Sequence, residues 1–220
     1  LLQPIADGIK FLMKEDIIPD GVNKPIYLLA PVIMLIPALM TFAVIPFGST
    51  ITLFDRDIIL QVADVNIGIL YILALTSIGV YGIVLAGWAS NSKYTLIGGL
   101  RSSAQLISYE LALGLSVVSI IRMSGSLRLN DIGADQQGYL LAWYVVKEPL
   151  AFLIFLIATY AETNRLPFDL AEAEQELVGG YHTEYSSMKF AMFFMSEYAN
   201  MITAAALTVT LFFGGWDVPL

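Results

Sequence analysis

The chain has 220 residues, 57% of them hydrophobic and only 14% charged, with a net charge of -8 and a mean hydropathy of +0.74. A soluble domain carries nearer a quarter charged residues, and a transmembrane barrel would alternate in short segments; the long continuous apolar runs here exclude both and read as an all-α polytopic membrane protein. The acidic balance argues against nucleic acid as a partner, the absence of cysteine rules out thiolate ligation of an iron–sulfur cluster by this chain, and a single histidine, His182, rules out a bis-histidine haem site.

Residues 1–18 are too polar to cross a bilayer. Leu2, Ile5, Ile9, Leu12 and Met13 recur at three- and four-residue spacing, with Gln3, Asp7, Lys10 and Lys14 opposite, the pattern of an amphipathic helix lying in the interface plane. The chain opens at Leu1 without a methionine or a signal-like stretch, which reads as a piece of a longer protein. The first span is expected over 25–47, with Pro25, Pro31, Pro37 and Pro46. Prolines are tolerated there because neighbouring helices re-satisfy the freed carbonyls.

Further spans are expected at about 66–88, 103–121, 149–162 and 189–213, the fourth short unless Tyr144 to Lys147 extend it. Crossing ~30 Å of hydrocarbon takes ~20 residues. Gly98-Gly99 has no strand before it and no Gly-Lys-Ser/Thr after it, so it is no phosphate loop and suggests a tight turn into the third span. Trp216 is placed to anchor the end of the fifth at the interface.

Five spans would put Lys10, Lys14, Lys24, Lys93, Arg101, Arg165 and Lys189 on one side and Arg56, Arg122, Arg128 and Lys147 on the other. The richer side, which carries the acidic loop 163–187, is assigned to the cytoplasm. No internal repeat is visible, and 1–220 reads as one membrane domain.

Carboxylates next to hydrocarbon carry the chemistry. Glu110 falls inside the third span, at a cost of about 2.5–3.5 kcal/mol on insertion scales. Glu162 ends the fourth span and Glu197 lies about two turns into the fifth; both must face protein or trapped water, since lipid offers no partner. Glu172 and Glu176 are four apart and share a helical face, with Glu174 turned away. Such a cluster titrates as a group, although an ordinary solvated acidic loop has the same composition. Arg165 is placed to pair with Glu162 or Asp169. His182 titrates near ~6.5 when unperturbed, yet a lone histidine in a polar loop reads first as exposed and incidental. No His/Glu spacing of the metallohydrolase kind occurs, so no metal site is expected.

Four blocks resemble a known family. They are Leu1-Leu2-Gln3-Pro4-Ile5-Ala6-Asp7-Gly8-Ile9-Lys10; Gly87-Trp88-Ala89-Ser90-Asn91-Ser92-Lys93-Tyr94 continuing to Ser108-Tyr109-Glu110; Ala161-Glu162-Thr163-Asn164-Arg165-Leu166-Pro167-Phe168-Asp169 continuing to Leu177; and Tyr181 to Tyr185 with Phe193-Phe194-Met195-Ser196-Glu197-Tyr198. In this order they resemble the quinone-site membrane subunit of proton-pumping NADH:quinone oxidoreductase, respiratory complex I. They span nearly the whole chain.

The resemblance implies eight spans in the family, so the first and the last two would be absent here. It implies a quinone, ubiquinone or menaquinone, as substrate, with no covalently bound cofactor. FMN and iron–sulfur clusters would lie in partner subunits. Those partners would be the quinone-module subunits of the peripheral arm and the antiporter-like subunits of the membrane arm. It places Gln3, Asp7, Phe11, Arg101, Phe168 and Phe194 along the quinone path, with Arg165 and Asp169 at the chamber wall. Glu110, Glu162, Glu172, Glu174, Glu176, Glu184 and Glu197 match the carboxylates linking that chamber to the membrane arm. A bacterial cytoplasmic membrane is expected over the mitochondrial inner membrane. Two rivals remain: the homologous subunit of a membrane-bound hydrogenase or formate hydrogenlyase, and a stand-alone proton-coupled transporter. The latter usually shows paired repeats with broken helices, which this sequence lacks.

Overall fold

The computed structural model describes residues 2–48, 50–53, 56–169 and 174–216. Among them, in chain order, are α1 (Gln3–Met13), α2 (Lys24–Met40), a hairpin of β1 (Thr50–Leu53) and β2 (Arg56–Ile59), α3 (Gly68–Ala89) and α4 (Lys93–Ser124). Then come α5 (Leu129–Ala134), α6 (Tyr144–Lys147), α7 (Pro149–Glu162), α8 (Glu174–Leu177) and α9 (Ser187–Phe212). The membrane body is all-helical, as the composition requires. The hairpin belongs to the α2–α3 connection, with antiparallel pairs from Thr50–Ile59 to Leu53–Arg56.

Four helices, α2 (with the 3-10 turn after it), α3, α4 and α9, are long and apolar enough to cross a membrane. The 14-residue α7 is apolar but shorter; at 1.5 Å per residue it covers ~21 Å, less than the ~30 Å hydrocarbon layer. It does not merge with α6. Glu148 leaves helical geometry (φ -130°, ψ 60°) and Pro149 opens the new helix, because proline is pre-set for a first turn but has no N–H to continue one. The possible extension of the fourth span through 144–147 is therefore absent.

The third span also differs from expectation. α4 begins at Lys93, well before residue 103, so Gly98 and Gly99 lie within a helix rather than in a turn. Their role is close approach. A Cβ at Gly98 would stand 2.7 Å from the backbone of Gly180, and one at Gly87 of α3 would meet the Thr95 carbonyl at 2.6 Å. Bare backbone lets helices approach where hydrocarbon outside supplies no drive to associate. α4 ends where Gly125 adopts φ +68°, the left-handed conformation that favours glycine at a helix C-terminus.

Packing falls into two apolar clusters. One gathers Ile72, Ile120, Phe155 and Phe212 at the end of the bundle facing the hairpin. The other holds Tyr27, Ile83, Tyr181 and Phe193. On the hairpin side, Arg128 clasps the Asp64 carboxylate, with Nε donating to both oxygens at 2.9 and 3.0 Å, and Asn130 donates to Gln61 at 2.7 Å. Asp64 is held well below the usual carboxylate range, chiefly through the hydrogen bonds from Arg128.

Candidate functional site

Between the two clusters lies a polar interior. A cavity of about 30 Å³ is lined by Thr76, Glu110, Glu162, Asn164, Glu197 and Asn200 together with apolar side chains. The three carboxylates come from α4, α7 and α9, far apart in sequence. A second cavity of about 20 Å³ shares Thr76, Glu162 and Asn200 and adds Thr159 and Thr203. A water needs roughly 10–15 Å³ of such space and two to four polar partners, so each cavity has room for one or two. The Thr159 hydroxyl and the Asn200 Oδ1 are buried and have no hydrogen-bond partner among the described residues, which fits hydrated cavities, since buried polar atoms otherwise carry a desolvation cost.

Each acid is held differently. Glu110 accepts a hydrogen bond from the Ser77 hydroxyl of α3. On its other side Glu110 lines an open groove with Leu73, Ile107, Leu111, Gly114 and Leu115, so it stands between the interior and the flank of the bundle. Glu197 is buried and accepts from the Tyr181 hydroxyl at 2.8 Å. Glu162 is the last residue of α7. The turn after it is fixed by Gln105 of α4, whose Nε2 lies 2.9 Å from the Ala161 carbonyl, 3.1 Å from Asn164 Oδ1 and 2.8 Å from the Phe168 carbonyl. The short α7 together with this turn is what brings Glu162 into the bundle.

The remaining candidates are dispersed. Arg165 does not read as the partner of Glu162. Its guanidinium lies over the Tyr198 ring at 5.3 Å, an attraction to the ring quadrupole. Its Nε and Nη2 are buried with no hydrogen-bond partner among the described residues. It stands at one end of an α7–α9 groove of about 380 Å³. Arg101 pairs with Glu176 at 2.7 Å, both substantially exposed, where such a pair contributes little. Phe168 packs edge-on against Tyr109. Glu184 offers its backbone carbonyl to the Tyr27 hydroxyl at 2.7 Å. Asp169 is partly buried. Glu174 is placed only as the first residue of α8. Glu172 lies outside the described residues, and so does the helical face expected to join it to Glu176.

Of the α1 candidates, Phe11 meets α9. Gln3 donates to Asp7 at 3.1 Å, and the Phe11 ring lies 6.0 Å from Phe190. Phe190 packs on Phe194 at 4.6 Å. His182 completes this group and corrects the sequence-based expectation: it is buried among Tyr181, Phe190 and Phe194 rather than exposed. Tyr185 stacks on Tyr27 with centroids 4.1 Å apart, and burial pushes its hydroxyl pKa up, with Tyr27 adding to the rise.

Charged residues alone do not point to Thr76, Ser77, Gln105, Asn164, Tyr181 or Asn200. The signal in the sequence is uncharged polar residues inside or beside apolar spans, which seek partners on neighbouring helices.

The chain is 60% identical over 230 aligned residues to two proteins named as subunits of NADH-quinone oxidoreductase, one from Geobacter metallireducens and one from Geobacter sulfurreducens. It is 55% identical over 232 to a Koribacter versatilis protein of the same name. In all three, the whole of this chain aligns and spans 66% of the relative's length. The family described as NADH dehydrogenase matches residues 1–220, and the chain belongs to that family.

Proposed function

We propose that this chain is the membrane-arm subunit of a proton-translocating NADH:quinone oxidoreductase, forming part of the quinone chamber and coupling quinone reduction to proton movement. The observation that carries the reading is the meeting of Glu110, Glu162 and Glu197 at one internal cavity. Electrons would arrive from iron–sulfur clusters and FMN in partner subunits, because this chain has no cysteine to ligate a cluster. Reduction leaves the quinone oxygens in need of protons. In a low-dielectric interior that change in charge is felt strongly by nearby acids. Water in the cavity lets Glu162 and Glu197 exchange protons with each other and with Glu110. Glu110, open to the flank of the bundle, hands the change to an antiporter-like neighbour.

The quinone itself is placed by residues of two kinds. The exposed apolar face of α1, with Ile5, Ile9, Leu12 and Met13, suits the lipid interface, and Phe11, Phe190 and Phe194 continue from it into the protein. Arg165, with buried donors, would orient polar groups at the chamber wall. Relatives named for NADH and quinone support this reading over the hydrogenase one, and their bacterial sources support a bacterial cytoplasmic membrane.

Replacing Glu162 with Gln tests the reading. In membranes carrying the whole enzyme, NADH-driven quinone reduction and pumping should fall about a hundredfold, the low end of what a positioned proton-transfer group contributes, with assembly intact on native gels. Wild-type rates and proton stoichiometry would overturn it.

A further inference from the structure

The chain after α7 lines the cavity with Thr163 and Asn164, and farther on it reaches one of the cavity's acids, Glu197, through Tyr181. This residue sits in a 3-10 turn, Gly180–His182, and is fully buried, its hydroxyl donating to Glu197 Oε1 at 2.8 Å. Three features fix where that hydroxyl points. The turn lies directly on α4, since a Cβ at Gly98 would be 2.7 Å from Gly180. The Tyr181 ring packs edge-on against Phe193 of α9 at 5.4 Å. His182 packs beside it on Phe190, which touches Phe11 of α1. One turn of backbone thus rests on α4, on α9 and, through the aromatic rings, on α1.

Glu197 lines the cavity with a long side chain. A carboxylate accepts at two oxygens with about four lone-pair sites, so a donor on one oxygen orients the group without preventing exchange at the other. A hydrogen bond to an ionised acceptor is shorter and about twice as strong as a neutral one. Tyrosine suits this post because its ring is rigid and apolar while its one polar atom reaches the acid.

We propose that Tyr181 is a positioning residue for Glu197. It makes the orientation of that carboxylate depend on how the Gly180–His182 turn is seated. A shift of that turn, of α1 through Phe11 and Phe190, or of α4 under Gly180 moves the phenol and reorients Glu197. In this role the phenol orients the acid and does not relay protons. This inference rests on the coupling role proposed above, which makes the orientation of Glu197 matter for turnover.

The test compares Tyr181→Phe, Glu197→Gln and the double variant in the assembled enzyme. The Phe variant keeps the ring and loses only the hydroxyl. Two readouts are taken: proton pumping per NADH oxidised, and the infrared carboxyl band that disappears in Glu197→Gln. Tyr181→Phe should lower coupled turnover about tenfold, the equivalent of losing one hydrogen bond to a charged group, and should move the Glu197 band. In the Glu197→Gln background it should cause no further loss. An unmoved band, or losses that multiply in the double variant, overturns the positioning role. A moved band with wild-type coupling in Glu197→Gln instead overturns the coupling role of Glu197 while upholding the bond.

Discussion

The ammonium of Lys189, in the first turn of α9, lies 2.8 Å from the Asp16 carboxylate in the segment joining α1 to α2. It also sits over the Tyr27 ring at 5.1 Å. Around it, the Ser187 Oγ lies 3.0 Å from the carbonyls of both Phe11 and Lys14, within reach to donate its one proton to either, and Ser186 Oγ accepts from the Ile17 N–H at 2.9 Å. The amphipathic helix is therefore tied to the start of α9.

The pair is lopsided, and that yields a prediction. The Lys189 side chain is 10% exposed and Asp16 is 52% exposed. Losing Asp16 strands a buried cation, whereas losing Lys189 leaves an acid that water can solvate. Asp16→Ala should therefore destabilise more, by about 1–3 kcal/mol after allowance for exposure, against about 1 kcal/mol for Lys189→Met. Thermal unfolding in detergent, with proteolysis of the 14–23 segment, measures this. The reverse order would show that Lys189 is held by Tyr27 rather than by Asp16.

Glu110 and Ser77 give a graded pair. Glu110→Gln should lower coupled quinone reduction at least tenfold, while Ser77→Ala, which removes only the hydroxyl donating to that acid, should lower it about threefold, the equivalent of one modest hydrogen bond. Both are measured in membrane vesicles, with assembly checked on native gels. A larger loss in Ser77→Ala than in Glu110→Gln contradicts a proton-handling role for Glu110.

Gly98 should tolerate no side chain. A Cβ there meets the Gly180 backbone, which has no flexible end to yield. Gly98→Val should cost about 1–3 kcal/mol or more through overpacking and should displace Tyr181 from Glu197. The amount of assembled enzyme and its coupled turnover report the two effects. Gly8→Val, where a Cβ meets nothing within 4 Å, is the control, and equal damage at both sites would refute the contact.

Asp64 supplies a pH dependence. Its folded pKa lies below the unfolded one, because Arg128 hydrogen-bonds the ionised form. Its contribution is therefore complete above the ordinary carboxylate range and is lost as pH falls through the depressed value. The hairpin base should stay closed down to about pH 4, near the unperturbed value for aspartate, and open in stronger acid. Hydrogen exchange in residues 60–66, corrected for intrinsic rates, follows it, and Asp64→Asn should abolish the transition. Opening already near neutral pH in the native chain would show that another group closes the base.

Hydropathy and family-like blocks determined much by themselves. The apolar runs, an amphipathic helix near the start (Gln3–Met13, shorter than the 1–18 expected) and the acids at 110, 162 and 197 follow from residue type and period, because hydrocarbon punishes unpaired polar groups wherever the chain places them. What the linear sequence left open was proximity. Glu110, Glu162 and Glu197 share a cavity only because α7 is short, Gln105 fixes the turn after it, and Gly87 and Gly98 let backbone touch backbone. His182 is buried, and Arg165 lies over Tyr198, because aromatic rings from other elements reach them first. Those contacts depend on how helices pack, and periodicity along one helix carries no information about which neighbour it will meet.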